Sequence, residues 1–542
     1  MIVEPHPGAA ARTGRRAILR GLAALTLALA PSLIAIAATP GFSTQDGPAH
    51  VYSARILNAS LADHSPFAAT FRVAWQPLPN WGGQLATMLA VALFSPEVAN
   101  RVVTAATLVL FAGAIFCLRW AVAGPAGIEV AAVLAAILGL NVTWLLGFTS
   151  FLLGATVATA TLAAWWLGRD RCGPGRSAGL AGLLVLGYFC HPISLGLTLG
   201  GLALLTVLTP GLTWRRAAWT GAGGLPLIPF GLAYRSLTRS GGGLEPVWEH
   251  WSRPLLSGCV SQLGWVDPLS LAAKTTSPNT LPAGVLPSPA LVPAFWALVG
   301  IGLLLAVTWN RRQADRRGWL VLGLGLVVAG VISPDTLGVK HGHFLPQRIV
   351  LLGLVALVPW LDLRPDRAAA RLAALALGLA LAIQSAFVWD YAAACRDRVT
   401  PFLRVAARFQ AGDRAGTLLN AIQGRFRSNP LLHADGLIAA ATDSAFWTNY
   451  ETAQYYFPVK VRPDVDHPLA TRFEQVAILD DPRDADYRAR LWEDLLERHG
   501  AQIDKVVEWQ TDPSLDQILR LRYEVTTDDG PIRVWTRTTR GR

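Results

Sequence analysis

Apolar runs long enough to cross a bilayer recur along the chain, separated by connectors in which arginine is concentrated. This alternation limits the fold more than any other feature, because a run of about 18 or more apolar residues must be buried in lipid or in a large core. About eleven such runs fit between residues 17 and 389. The basic connectors are 12–20 (Arg12, Arg15, Arg16, Arg20), 168–177 (Arg169, Arg171, Arg176), 309–318 (Arg311, Arg312, Arg316, Arg317) and 362–371 (Arg364, Arg367, Arg371). Arg119 and the pair Arg215 and Arg216 mark two shorter ones. Basic connectors stay on the cytoplasmic face, so the alternation places the N-terminus inside and the C-terminus outside.

Composition agrees with a polytopic membrane protein. The chain is 52% hydrophobic and 15% charged, against about 25% charged in soluble domains. The net charge of +11 is spread over these connectors, with no basic stripe interleaved with aromatics, which excludes a nucleic-acid partner. RTGRRAILR followed by an apolar run resembles a signal peptide. The run at 17–38 is too long for an h-region and further spans follow, so it reads as a retained first helix. Cys117, Cys172, Cys190, Cys259 and Cys395 show no metal-like spacing; only Cys259 and Cys395 share the oxidising side.

The outer side receives loop 40–97, loop 237–289, a short loop 334–344 and a tail. Composition shifts at about residue 390, giving a membrane domain over 1–390 and a C-terminal extramembrane domain over 391–542. Within the tail, VVEW, QILRLRYEV and IRVWTR read as strands and YRARLWEDLLERHG as a helix, hence a small α+β domain. The fold class expected is therefore an α-helical polytopic membrane protein with a small α+β C-terminal domain.

The first outer loop begins GFSTQDGPAHVYSARILNASLADH. Gly47-Pro48 opens a helical pattern with Tyr52, Ile56 and Ala59 on one face and Arg55 and Asn58 on another. WQPLPNWGGQLATMLAVALFSPEVANRV follows, with an apolar run too short to span and no basic residue before Arg101. Both segments read as helices lying on the membrane surface, with Asp46 at the mouth of the first.

This order of first span, acid, surface helix and PLPNWGGQLATMLAVALFSPEVANR resembles the first outer loop of the GT-C superfamily of membrane glycosyltransferases. GYFCHPISLGL (187–197) is similar to a His-Pro element of that superfamily, and HGHFLPQRIVLL (341–352) to its element before a late span. The resemblance covers about residues 17 to 390, and the tail resembles no member. It implies an enzyme of the bacterial inner membrane with a cytoplasmic N-terminus and a periplasmic tail. It further implies transfer of a sugar from a polyprenyl-phosphate or polyprenyl-diphosphate donor to a glycan, lipid or protein acceptor.

On that resemblance Asp46 matches the general base, with His50 one helical turn on. The bland reading of Asp46 is a helix N-cap. Arg348 suits the leaving lipid phosphate through its bidentate fork, against the reading of an interfacial anchor. Lys340, His341 and His343 precede it, and His191 is either a core histidine or a phosphate contact. Glu249, within EPVWEHW, joins the candidate substrate-binding set, though tryptophans there suit any interface. Asp63 and His64 read as capping or solvated. No metal signature appears and no cofactor is certain; a divalent ion stays open. The rival readings are an O-antigen ligase or polymerase, and a transporter of lipid-linked glycans. The spans carry almost no acids and show no matching halves, unlike a transporter.

Overall fold

The protein is described as a computed structural model, covering residues 7–62, 65–211, 213–240, 291–307, 315–334, 336, 344–363, 367–420, 428–470, 473 and 485–538. Its helices are α1 (Pro7–Ala38), α2 (Gly47–Ser60), α3 (Trp81–Leu93), α4 (Pro96–Ala123), α5 (Ile128–Gly139) and the single turn α6 (Val142–Leu145). They continue with α7 (Thr149–Gly168), α8 (Pro174–Cys190), α9 (Pro192–Leu208), α10 (Trp214–Gly224) and α11 (Leu227–Ser240). After these come α12 (Leu291–Ala306), α13 (Arg317–Ile332), α14 (Leu345–Leu357) and α15 (Arg367–Leu403). The C-terminal region adds α16 (Asp435–Thr442), α17 (Ala485–His499) and α18 (Pro513–Arg520).

Four helices among the described residues are long and apolar enough to cross a membrane: Arg15–Ala38, Pro96–Ala123, Thr149–Gly168 and Ala368–Arg408. Six further apolar helices have 10–17 residues. The expected spans, about eleven by length alone, thus resolve into unequal pieces, because proline and glycine interrupt the runs. Pro192 is one cause. It has no N–H for a helical bond to Tyr188 O and disfavours a helical residue before it; α8 ends at Cys190, His191 is extended (φ −163, ψ 127), and α9 starts afresh.

The bundle is held by close helix pairs. α1 packs on α5, α4 on α7, α12 on α15 and α13 on α14. The α13–α14 pair owes its closeness to small residues, as membrane helix pairs do. A Cβ added to Gly353 would stand 2.8 Å from Val327 N, and one on Gly330 2.5 Å from Val350 Cγ2.

α15 runs unbroken for 37 residues, so the domain boundary expected at 390 falls inside a helix. Beyond it, β2 (Arg414–Leu419), β3 (Ala445–Phe446), β5 (Lys505–Trp509), β6 (Tyr523–Asp529) and β7 (Ile532–Arg537) form a mixed sheet in the order β3-β2-β5-β7-β6. β2 is parallel to β3 and β5, whereas β7 is antiparallel to β5 and β6. QILR of the run expected as strand is instead helical, ending α18, and Leu521 and Arg522 form a turn. Asp512 accepts from Ser514 N at 3.0 Å, Pro513 stands in the first turn, and Leu515 and Leu519 are buried. An Asp-Pro start with apolar residues four apart is a helix signal, and the strand begins only at Tyr523.

The C-terminal region grips the loop between α1 and α4. β1 (Phe71–Val73) pairs antiparallel with β4 (Val459–Val461), Arg72 facing Lys460. α16 lies on α2 so closely that a Cβ on Gly436 would come within 2.5 Å of Pro48 O. α2 therefore differs from the surface helix expected. Eleven of its residues are buried, including His50, Tyr52, Ser53 and Ile56, with Arg55 and Asn58 left at the margin. α3 keeps an exposed apolar stripe, Leu85, Leu89 and Leu93, opposite buried Gln84 and Met88. Cys395 is free and buried, and Cys259 lies outside the described residues.

Candidate active site

Asp46 sits at the N-cap position of α2 (φ −92, ψ −12), yet its carboxylate makes no capping hydrogen bond. Its backbone is fixed from the α6–α7 turn, with Asp46 N donating to Leu146 O at 3.0 Å. The carboxylate turns toward the C-terminal region. Tyr450 Oη donates to Asp46 Oδ2 at 3.3 Å, and His433 Nε2 stands 3.7 Å from Oδ1. Burial pushes its pKa up to about 6, against the opposing pull of the nearby His50 charge. His433, buried and facing that same His50 charge, is pushed down to about 3 and stays neutral.

His50 follows one turn later and is locked on both ring nitrogens. Nδ1 meets Glu451 Oε1, and Nε2 meets Gly147 O at 3.0 Å. Beside an ionised Glu451 and the Gly147 carbonyl, a proton on each nitrogen satisfies both acceptors, which is the imidazolium. Burial works against that charge, but Glu451, Asp46 and the Gly147 carbonyl together hold the pKa above its ordinary value. Gly147 is itself required. Its φ is +83, and a Cβ there would lie 2.7 Å from Thr44 Oγ1 and 2.9 Å from Gly47 N. Glu451 is fully buried and accepts from Gln84 Nε2 at 3.1 and 2.9 Å. Asn449 Oδ1 accepts from Glu451 N at 3.2 Å, capping the short turn Tyr450–Ala453.

A second cluster faces the first. Arg348, in the first turn of α14, places Nη1 3.1 Å from His191 Nε2. Arginine has no lone pair to offer, so Nε2 accepts and the His191 proton sits on Nδ1. The guanidinium lies over the rings of Phe148 (4.7 Å) and Phe151 (5.3 Å). It is within electrostatic range of Asp46, Tyr450 and Tyr456. Arg348 Nε and His191 Nδ1 are buried with no hydrogen-bond partner among the described residues, as are Asn80 Oδ1 and Gln347 Oε1. Buried polar groups are usually satisfied. An unfilled guanidinium N–H and an unfilled imidazole N–H in one cluster make a place for an anion.

The structure thus brings Asp46 and His50 together, and Arg348 and His191 together, with the two pairs facing each other. Glu249, Lys340, His341 and His343 lie outside the described residues, as do Asp63 and His64. His433, Tyr450, Glu451 and Gln84 were not singled out from sequence. The stretch NYETAQYYF (449–457) does hold an acid among crowded aromatics, but no spacing tied it to loop one. No group of three or more His, Cys, Asp and Glu among the described residues is arranged to hold a metal ion.

No family model matches the chain, and no curated protein is similar to it. Solved structures to which the chain is similar, at low identity, include the following. ArnT from Cupriavidus metallidurans, bound to undecaprenyl phosphate, is 14% identical, with a TM-score of 0.44 over 96% of this chain and 98% of that one. The archaeal oligosaccharyltransferase AglB from Archaeoglobus fulgidus, in complex with an inhibitory peptide and a dolichol-phosphate, is 11% identical. Its TM-score is 0.36 over 96% of this chain and 74% of that one.

Proposed function

We propose that the chain is an integral membrane glycosyltransferase. It moves a sugar from a polyprenyl-phosphate or polyprenyl-diphosphate donor to an acceptor hydroxyl on the outer face, with Asp46 as general base. In this reading the acceptor oxygen attacks the anomeric carbon and its proton passes to Asp46. The bond between that carbon and the phosphate oxygen breaks, and its electron pair leaves with the lipid phosphate. Arg348 and the Nδ1–H of His191 receive that phosphate, supplying charge-assisted donors where negative charge develops. His50, held as a cation by Glu451, keeps part of Asp46 ionised despite burial.

The observation that carries this reading is the carboxylate of Asp46. It occupies an N-cap position without capping, and it faces a buried arginine whose donors are not all used. A residue kept only as a cap would point at the helix backbone. The test is transfer from radiolabelled polyprenyl-phosphate sugars to native membrane acceptors by the purified protein. The reading expects label in the acceptor with the parent and none with Asp46→Asn. Label moving at the parental rate with Asp46→Asn would remove Asp46 from the chemistry.

A further inference from the structure

α7 and α8 carry the site at one end, with Phe151 near the start of α7 and His191 just after α8. Their other ends enclose something else. α7 has 20 residues, so its far end lies about 30 Å away at 1.5 Å per residue, roughly the thickness of a bilayer core. There α7, α8 and α10 surround a cavity of about 250 Å³, with Arg169, Arg176, Trp165 and Trp219 at its rim and Leu180 and Leu183 along its wall.

We propose that this cavity binds the phosphate headgroup of an anionic membrane lipid, with an acyl chain running along Leu180 and Leu183. The polar groups of the wall are already satisfied by protein. Trp165 Nε1 donates to Thr220 Oγ1 at 3.0 Å, and Ser177 Oγ donates to Trp219 O at 3.0 Å. The arginine charge is only partly matched: Arg169 donates Nη1 to Trp166 O at 2.6 Å and shares its one carboxylate with Arg216. Asp170 is engaged by Arg216 at 2.8 Å and lies 3.6 Å from Arg169. Arg169 stacks on Trp166, its guanidinium carbon 4.0 Å from the ring centroid. Arg176 pairs with no carboxylate among the described residues, and lies flat against Gly168, where a Cβ would stand 2.5 Å from its Nη1. The connector 168–177 holds three arginines against one aspartate.

The cavity therefore offers two guanidiniums, indole edges and an apolar wall in one place. That combination fits a phosphodiester on a hydrocarbon tail rather than a free anion or a neutral lipid. Guanidiniums fork onto phosphate oxygens, and tryptophans settle at headgroup depth. The site is distinct from the Asp46 cluster and does not depend on what that cluster does.

The test is lipid binding to the full-length purified protein in detergent, read by native mass spectrometry and thermal melting. Three probes serve: phosphatidylglycerol, phosphatidylcholine and inorganic phosphate. Phosphatidylglycerol is expected to be retained and to raise Tm, with the other two giving little. Arg176→Gln, at an exposed position, should weaken phosphatidylglycerol about tenfold. Arg169→Gln with Arg176→Gln should abolish the effect. Gly179→Phe keeps both charges but fills the cavity from a position with open space around its Cβ, and should block binding while melting like the parent without lipid. Equal retention of phosphatidylcholine overturns the proposal. So does equal stabilisation by inorganic phosphate, or undiminished phosphatidylglycerol binding by Gly179→Phe.

Discussion

His50 Nδ1 meets a carboxylate oxygen of Glu451 across 401 residues of sequence. The other imidazole nitrogen meets the Gly147 carbonyl, so a cation beside Asp46 is held by groups from two distant stretches of chain. The electrostatics of the first loop are set from the far end of the protein, and the predictions below follow from that link.

Glu451→Ala removes the only carboxylate bonded to His50 among the described residues. Breaking one side of a buried ion pair costs about 3–5 kcal/mol, because the other charge is left uncompensated. His50 has its pKa raised by folding, so its contribution is fully present below the unfolded value of about 6.5 and fades as pH rises through the folded value. Thermal melts should show the gap between parent and variant widest near pH 6 and narrower on the alkaline side. A gap that does not change with pH would mean the pair is neutral.

Asp46→Asn should cut sugar transfer by about a hundredfold or more, since an amide takes no proton. Its melt should match or exceed the parental one near pH 7. The raised pKa of Asp46 means that ionising it costs the folded state stability, a penalty that grows between about 3.8 and about 6 and is constant above. Asparagine carries no such penalty. A variant that melts well below the parent would mark Asp46 as a structural residue.

The rate of transfer should depend on pH through the same group. A base with a pKa of about 6 must be deprotonated to act, so log kcat/KM should rise with unit slope below that value and level off above it. The Asp46→Glu variant should retain the limb with its midpoint moved. If the parent's profile stays flat down to pH 4.5, the titrating base is another group.

Arg348→Ala should raise the apparent donor KM by about tenfold or more, whereas Arg348→Lys falls in between. Lysine keeps the charge but loses the fork and the contact with His191 Nε2. Acceptor KM should move little in either. Wild-type donor dependence in both variants would leave Arg348 as an interface anchor.

Gly436→Ala should unseat α16 from α2, since its Cβ would meet the Pro48 carbonyl at 2.5 Å and a backbone atom has little room to give. A drop of about 2 kcal/mol or more in stability is expected from such overpacking, measurable as a lower melting temperature and weakened transfer. Parental melting by this variant would show that the two helices part easily.

The membrane helices and the start of α2 were legible because apolar length and a Gly-Pro start are local signals. The one-turn spacing of Asp46 and His50 was equally local. The burial of α2 was not, because its covering comes from α16 and β4, almost 400 positions later. His433, Tyr450 and Glu451 escaped notice for the same reason: nothing in NYETAQYYF announces that it faces loop one. QILRLR misled because alternating Leu and Arg suits a strand, while the Asp512-Pro513 start that decides for a helix lies just upstream. The meeting of His191 with Arg348 depends on how α8, α9 and α14 pack, which periodicity does not encode.

The bond between His50 and Glu451 also sets a clock. A ribosome adding about 5–20 residues per second needs roughly 20–80 s to travel from the first of these to the second. Throughout that interval Asp46 is already synthesised, while Tyr450, Glu451 and His433 are not all in place. A nascent chain thus carries the Asp46 carboxylate without the groups that tune it, and reaches its final electrostatic state only when its last quarter has emerged and folded back onto its beginning.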